Sequence, residues 1–372
     1  MFLRRFIEPA LPVYASAMLL LTAGPAASAV VDGLYTATVA RRSDVSDARN
    51  AAIADAMTNV LVRVTGSRQA ATAPELEFLR AGPDRYVESF VFLSTSEALV
   101  SFLPRDIERE LAAAGWPLWG AERPLSMLWI AVTDQFGDQA LVAAGGPPPD
   151  AQYSANMQQL LNTIREDVTT IAAQRGLPWV LPDFASAEDV ALQCPQVWDY
   201  RFEELAAISA AWDADATVIA RVRQSVIGTD VEWLLQSESQ YLSYPGAGIA
   251  DGIHWLADAY AGQYSSVGGW RPLTLRVHGV ADFDTYARVL AYLESVSVLT
   301  DVDVEAFSGG ELQLRTQSRG DTSVVSRTLG LDDVVRERPA GIGMPRSTDP
   351  GVLDLLVVPE RPVFFGNGPP PR

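Results

Sequence analysis

The chain has 372 residues, a formal net charge of −18 and a sequence pI near 4.5, with 48% hydrophobic residues, one cysteine and two histidines. All 28 basic residues are arginine, and no lysine occurs. A surface this acidic repels phosphate backbones and excludes nucleic-acid binding through a basic face; one cysteine excludes an intrachain disulfide and a cysteine-rich zinc site.

Residues 1–29 have the three-part layout of a secretory signal peptide. Arg4 and Arg5 start it, an uncharged and largely apolar stretch follows over 13–23, and Ala27-Ser28-Ala29 offers a small-residue cleavage site between Ala27 and Val30, after Ala29. Cleavage there removes Arg4, Arg5 and Glu8 and takes the charge to −19. The stretch is shorter than the ~20 apolar residues that span a bilayer, and no comparable run follows. The mature chain is therefore expected to be exported to the periplasm, soluble, with no stable membrane insertion.

Residues 30–123 form the first expected domain. A strand over 34–39 precedes Val45, Ala48, Ala52, Ala56, Met57, Val60 and Val64, which recur at helical spacing, with Ser43 and Asp44 as cap residues and Gly66 as the stop. Strands over 86–93 and 98–103 and a helix carrying Ile107, Leu111 and Ala114 complete a β-α-β-β-α order.

Residues 124–266 read as a central α/β domain. The near-continuous apolar run 125–132 is expected for a strand buried on both faces, and Gly145-Gly146-Pro147-Pro148-Pro149 is a loop. Met157, Leu160, Leu161, Ile164, Val168, Ile171 and Ala172 mark the longest amphipathic helix, stopped at Gly176. A short strand over 179–181, a helix over 200–212 capped by Asp199, strands over 217–222 and 231–235, and a helix on Ile253, Leu256, Ala257, Tyr260 and Tyr264 follow. This alternation predicts an α/β sandwich.

Residues 267–340 form the third unit. A strand over 273–280, a helix capped by Asp282, an alternating strand over 298–307, a Gly309-Gly310 hairpin turn, a strand over 311–316, a short helix near 322–329 and a strand at Val334 and Val335 give β-α-β-β-α-β, the ferredoxin-like order. Residues 341–372 are rich in Pro and Gly and read as a tail. The expected fold class is α/β and α+β: three small mixed domains, the first and third with ferredoxin-like β-α-β-β-α order and the middle one an α/β sandwich.

Chemistry is sparse. His254 and His278 lie in no metalloprotease or nucleophile-elbow motif and read as structural. A phosphate-binding P-loop needs a lysine, and the chain has none. Of the Asp213/Asp215, Asp282/Asp284 and Asp301/Asp303 pairs, only Asp282 onward is worth testing as a calcium loop, and it has Ala287 and Leu293 where the loop needs glycine and glutamate, so a helix cap explains it better; Asp301 and Asp303 fall on one, solvated, face of a strand. Cys194 reads as a buried thiol. No catalytic residue, cofactor or metal ligand is assigned. The segment Trp116-Pro117-Leu118-Trp119-Gly120-Ala121-Glu122-Arg123-Pro124 stands out, since Trp116, Trp119 and Arg123 are candidate interaction residues for an aromatic groove, or else pack the junction between two domains.

Several phrases occur in a fixed order: Ala48-Arg49-Asn50-Ala51-Ala52 through Val60-Leu61-Val62-Arg63-Val64-Thr65-Gly66, Gly115-Trp116-Pro117-Leu118-Trp119-Gly120 with Arg123-Pro124-Leu125, Gly176-Leu177-Pro178 with Leu181-Pro182, and Ala214-Asp215-Ala216-Thr217-Val218-Ile219-Ala220-Arg221-Val222. Together they resemble the proteobacterial exported family catalogued as domain of unknown function 2066, over about residues 33–335. The resemblance implies a Gram-negative cell-envelope location and no assigned activity, and it carries no catalytic residues to transfer.

The leading expectation is a non-catalytic periplasmic interaction or scaffold module whose partner is an unknown envelope protein. One alternative is a carboxylate-dependent hydrolase acting on envelope glycan or peptide, with two carboxylates about 5–9 Å apart. The other is a binder of small ligands or peptides in an aromatic groove built by Trp116, Trp119 and Arg123.

Overall fold

The computed structural model describes residues 29–40, 47–237, 240–339, 347 and 349–359. Residues 1–28 of the leader, with Ala27 of its cleavage site, and the cap candidates Ser43 and Asp44 lie outside the described residues.

The first unit runs β1 (Ala29–Val30), β2 (Thr36–Ala40), α1 (Ala48–Thr65), α2 (Glu77–Ala81), β3 (Val87–Phe92), β4 (Glu97–Phe102), α3 (Pro104–Ala113) and β5 (Glu122–Arg123). β4 lies between β2 and β3, antiparallel to both, and β1 pairs with β5. α1 covers this sheet because Ile53, Met57, Val60, Leu61 and Val64 fall on one stripe and bury against Val39, Val100 and Phe102. Its N-cap is Asp47, which the periodicity places among the polar helical positions; the Asp47 carboxylate accepts from the Asn50 amide at 3.2 Å. Gly66 ends the helix in the left-handed conformation, at φ 66°. Between them and β3, a segment with no expected element folds into 3₁₀ turns and α2, which deliver Leu76 and Leu79 to the core.

The middle unit runs β6 (Ser126–Thr133), β7 (Gln139–Leu141), α4 (Ala155–Arg175), β8 (Trp179–Val180), α5 (Ala187–Trp198), α6 (Phe202–Ala210), β9 (Ala216–Ser225), β10 (Gly228–Ser237), β11 (Gln240–Gly246) and α7 (Ile249–Tyr264). The strand order is β11-β10-β9-β6-β7, with β8 beside β6. β6 feeds two cores by alternation: Leu128, Ile130 and Val132 pack under α4 and α7, and Met127, Trp129 and Ala131 under α5 and α6. The result is the expected α/β sandwich. One detail is corrected. The helix expected over 200–212 is α6, but its cap is not Asp199: an additional helix that was not expected, α5, precedes it, started by the Ser186–Asp189 capping box and closed by Asp199.

The third unit runs β12 (Trp270–His278), α8 (Phe283–Ser295), β13 (Leu299–Ser308), β14 (Glu311–Arg319), α9 (Thr322–Leu329), β15 (Val335–Glu337) and β16 (Val352–Val357). Asp282 caps α8, accepting from the Thr285 amide at 2.8 Å. Gly309 and Gly310 both have positive φ, 61° and 79°, as a two-residue hairpin turn of this hand requires. The even alternation expected along β13 is broken by irregularities between Thr300 and Asp303 and between Val304 and Ala306.

The strand order is β13-β14-β12-β16-β15. In a ferredoxin-like sheet the strand after the second helix sits beside the first strand. Here β16 takes that place, parallel to β12, and β15 is displaced to the edge, antiparallel to β16. β16 comes from the stretch expected to be a tail, and the reason is burial: Leu353, Leu355 and Val357 complete the core with Leu275, Leu293 and Leu329. If β16 is integral, Leu355→Ala lowers unfolding free energy by about 2–5 kcal/mol, measured by urea denaturation; an appended tail would show no change.

Candidate functional site

The connector between the first two units touches all three. Trp116 is half-buried against the first core and Leu118 lies inside it. Leu118 and Ser266 exchange backbone hydrogen bonds at 2.8 Å. Trp119 is 1% exposed and belongs to the middle core. The Glu122 carboxylate accepts from the Ser297 amide at 3.0 Å and from its hydroxyl at 2.5 Å, which ties in the third unit. Arg319 of β14 adds a second tie by donating to Glu108 of α3 at 2.9 Å.

Arg123 is fully buried. Nε donates to Gly120 O at 2.9 Å, Nη1 to Arg175 O and Gly176 O at 2.8 and 2.9 Å, and Nη2 to Arg63 O and Trp119 O at 2.9 and 3.1 Å. The guanidinium carbon lies 3.9 Å from the Trp119 ring centroid. Arg63 lies in the last turn of α1 and Arg175 ends α4, and the last carbonyls of both helices carry partial negative charge. Burial first, and the adjacent Arg63 second, push the Arg123 pKa down to about 9, so it is still charged at neutral pH. Arg63 reaches Thr36 O at 2.8 Å, and Arg175 reaches Gly66 O at 2.7 Å and Asp258 at 2.6 Å. A side chain on Gly176 would lie 2.7 Å from Arg123 Nη1, and one on Gly66 would collide with Ala261. These contacts correct the expectation of an aromatic groove: Trp119 and Arg123 are consumed by packing and present no face to a ligand.

The other sequence candidates are also held structurally. His254 accepts from Arg175 at Nδ1, 3.1 Å away, and burial together with the charges of Arg175 and Arg68 keeps its pKa below the usual range. His278 lies 3.4 Å from Glu311 and 3.6 Å from Asp354. Burial raises the Cys194 thiol to about 11. Asp303 pairs with Arg315 at 3.4 Å. Among the described residues, no group of three or more His, Cys, Asp or Glu side chains is placed to hold a metal ion. Asp215 accepts from the Leu125 amide at 2.7 Å. Desolvation at the seam with the third unit, then the carboxylates of Asp332, Asp333 and Asp213, push its pKa up to about 6 against that hydrogen bond, although solvent still reaches the residue.

A cleft of about 710 Å³ beside α1 and α7 has a mixed lining, with Ser67, Gln69 and Thr72 beside Pro117, Ala261 and Val267, and Arg68 and Asp258 pair across it at 3.6 Å. A second cleft, of about 580 Å³, has the more distinctive lining: Tyr200, Phe202, Leu234 and Tyr241, with Arg201 and Glu204 at its rim. It lies where the corner between α5 and α6 meets the face of β10 and β11. Tyr200 has φ 56°, a left-handed conformation that costs a non-glycine residue about 1–3 kcal/mol. Arg221 holds that corner. Its Nη1 donates to Trp198 O at 2.8 Å, its Nη2 pairs with Glu232, and its guanidinium carbon lies 3.6 Å from the Tyr200 ring centroid.

The Arg221 contact keeps the Glu232 pKa below the ordinary carboxylate range, and burial with the Glu232 carboxylate raises the Tyr200 phenol. Arg223, two residues along the same strand face, lies 5.0 Å from the Trp198 ring and lines an adjoining cleft of about 360 Å³ with Asp230, Glu232 and Ser243. Phe202 and Tyr241 stand 5.1 Å apart, ring to ring. Both volumes fall in the range of small-ligand and side-chain pockets. None of these residues is singled out by a motif. Arg221 and Glu232 become neighbours only through the β9–β10 register.

A family model described as "Domain of unknown function (DUF8605)" matches residues 28–120. The first unit therefore contains an uncharacterised domain; the match carries neither the 2066 designation nor a proteobacterial origin. No curated protein matches the chain, and no solved structure does.

Two outcomes follow. Arg123→Lys cannot reproduce the planar five-donor fork; it should destabilise the protein by at least about 3 kcal/mol, since several buried carbonyls lose their donors, as read by urea unfolding. The raised Asp215 pKa means that the native state holds a proton between about pH 4 and pH 6 that the unfolded chain has released, so this group's ionisation lowers stability as pH rises through that window. Asp215→Asn should therefore raise the thermal midpoint at about pH 7, with the difference vanishing near pH 4.

Proposed function

We propose that the protein is an exported, non-catalytic interaction module of the Gram-negative cell envelope, and that it holds an extended segment of a partner protein along β11 with one side chain anchored in the Tyr200–Tyr241 cleft. The observation that carries this reading is the juxtaposition of the aromatic cleft with a sheet edge. β11 pairs with β10 on one side, and among the described residues its outer side pairs with no strand. An added strand gains main-chain hydrogen bonds from the edge and specificity from alternate side chains. Pro245 limits pairing to the part of β11 before it.

The charged groups of the cleft favour binding over acid–base chemistry. Arg221 is committed to Glu232, and Arg201 to Glu204 at 3.2 Å. A carboxylate held ionised by an arginine is a weak general base. Arg223, which among the described residues makes no ion pair within 4 Å, is available to an anionic group of the partner. The compartment comes from the signal-peptide layout and from the resemblance to the exported family 2066.

The test is site-specific photocrosslinking in intact cells, with a benzoyl-phenylalanine replacing Tyr241, which is 58% exposed, and the same probe at exposed Phe283 as control. A discrete adduct with one envelope protein from position 241, weakened by Arg223→Glu, is expected. Adduct patterns identical at the two positions would sink the proposal.

A further inference from the structure

The middle sheet has one end that the cleft does not use. β6 and β9 run parallel and stay in register to Thr133 and Arg223, so both strands finish at the same end of the sheet. Each then turns back in a tight hairpin, and each turn carries bulky apolar residues at its tip. Phe136, in the β6–β7 turn, is 74% exposed; Val226 and Ile227, which alone form the β9–β10 turn, are 88% and 98% exposed. Neighbouring strands lie about 4.8 Å apart, so the two turns, each between its own pair of strands, stand about two strand spacings apart at one end of the sheet. Turn positions of this kind ordinarily hold Asn, Asp or Gly.

Both tips are closed by hydrogen bonds. The buried Asp134 carboxylate accepts from the amides of Phe136 at 2.9 Å and Asp138 at 3.0 Å, and Gly137 bonds back to Asp134 O at 3.0 Å with φ 87°. The second turn is closed by Ser225 Oγ donating to Gly228 O at 2.9 Å. Gln135, Gln224 and Thr229 flank the tips with neutral hydrogen-bonding groups. The charges within reach are Asp134, Asp138, Asp230 and Arg223, a negative excess.

We propose that this end of the sheet docks reversibly onto a zwitterionic lipid surface, with Phe136, Val226 and Ile227 entering the boundary between headgroups and acyl chains. A fluid apolar phase accepts convex tips without shape complementarity, preformed turns lose little freedom on docking, and the neutral flanks sit at headgroup level. The acidic rim, like the net charge of −18, disfavours an anionic surface. No described helix is long and apolar enough to cross a membrane, and the contact proposed is peripheral.

The test is flotation of the full chain with vesicles of phosphatidylcholine and phosphatidylethanolamine. Wild type should float with the vesicles, with no loss of binding between about 0.1 and 0.5 M NaCl, because the contact is apolar rather than ionic. The triple variant Phe136→Ser, Val226→Ser, Ile227→Ser should bind about tenfold less while keeping its thermal midpoint, which separates lost docking from lost folding. Failure of wild type to float would overturn the proposal and leave these tips as a surface for a protein socket. Equal flotation of wild type and variant, or capture by anionic vesicles alone, would also overturn it. None of these results bears on crosslinking from position 241.

Discussion

Arg123 carries a full charge into the interior without a carboxylate partner, and backbone carbonyls from residues 63, 119, 120, 175 and 176 meet that charge instead. Taken singly, each is an ordinary hydrogen bond. Together they bind the C-terminal ends of α1 and α4 to the connector, at a point where two helix dipoles direct their negative ends at one another. Without a cation between them those ends would repel, and their last carbonyls would be buried without donors. Trp119 covers one face of the guanidinium, and the left-handed glycines 66 and 176 let the helix ends come close. The placement of the first unit on the second, and through Glu122 and Ser297 of the third on both, depends on this arrangement.

What the residue pattern revealed and what it concealed have physical causes. Helices α1, α4 and α8 were legible because their apolar stripes are long and their ends carry strong local signals, Gly66, Gly176 and Asp282. At the start of α1, Ser43, Asp44 and Asp47 are all good caps by residue type, and the backbone selects Asp47. β16 was hidden by its surroundings: the six-residue run Val352–Val357 is strand-like, but the Pro and Gly around it lowered the signal of the whole stretch. The cleft was illegible for a different reason. Its parts come from the α5–α6 corner, β9, β10 and β11, and no spacing along the chain foretells which residue of β10 will stand opposite Arg221.

The first and third units share a local arrangement. In each, a strand, a helix and a hairpin give a sheet with the last of the three strands in the centre, β2-β4-β3 and β13-β14-β12. They differ in what lies beyond. The third unit widens its sheet with β16 and β15, whereas among the described residues the sheet of the first has no further strand. The free side of the β2 strand thus corresponds to the side of β12 that β16 closes.

The contacts of Arg123 also bear on what counts as a module here. The matched family region stops at residue 120, short of the arginine whose donors close the end of α1, and two of the carbonyls that complete its coordination belong to residues 175 and 176. The end of α1 is therefore completed by residues of the connector and of α4, far along the chain from the core it caps. The sequence boundary and the cooperative boundary are thus different places on the chain, and a fragment cut at the first inherits an unfinished helix terminus.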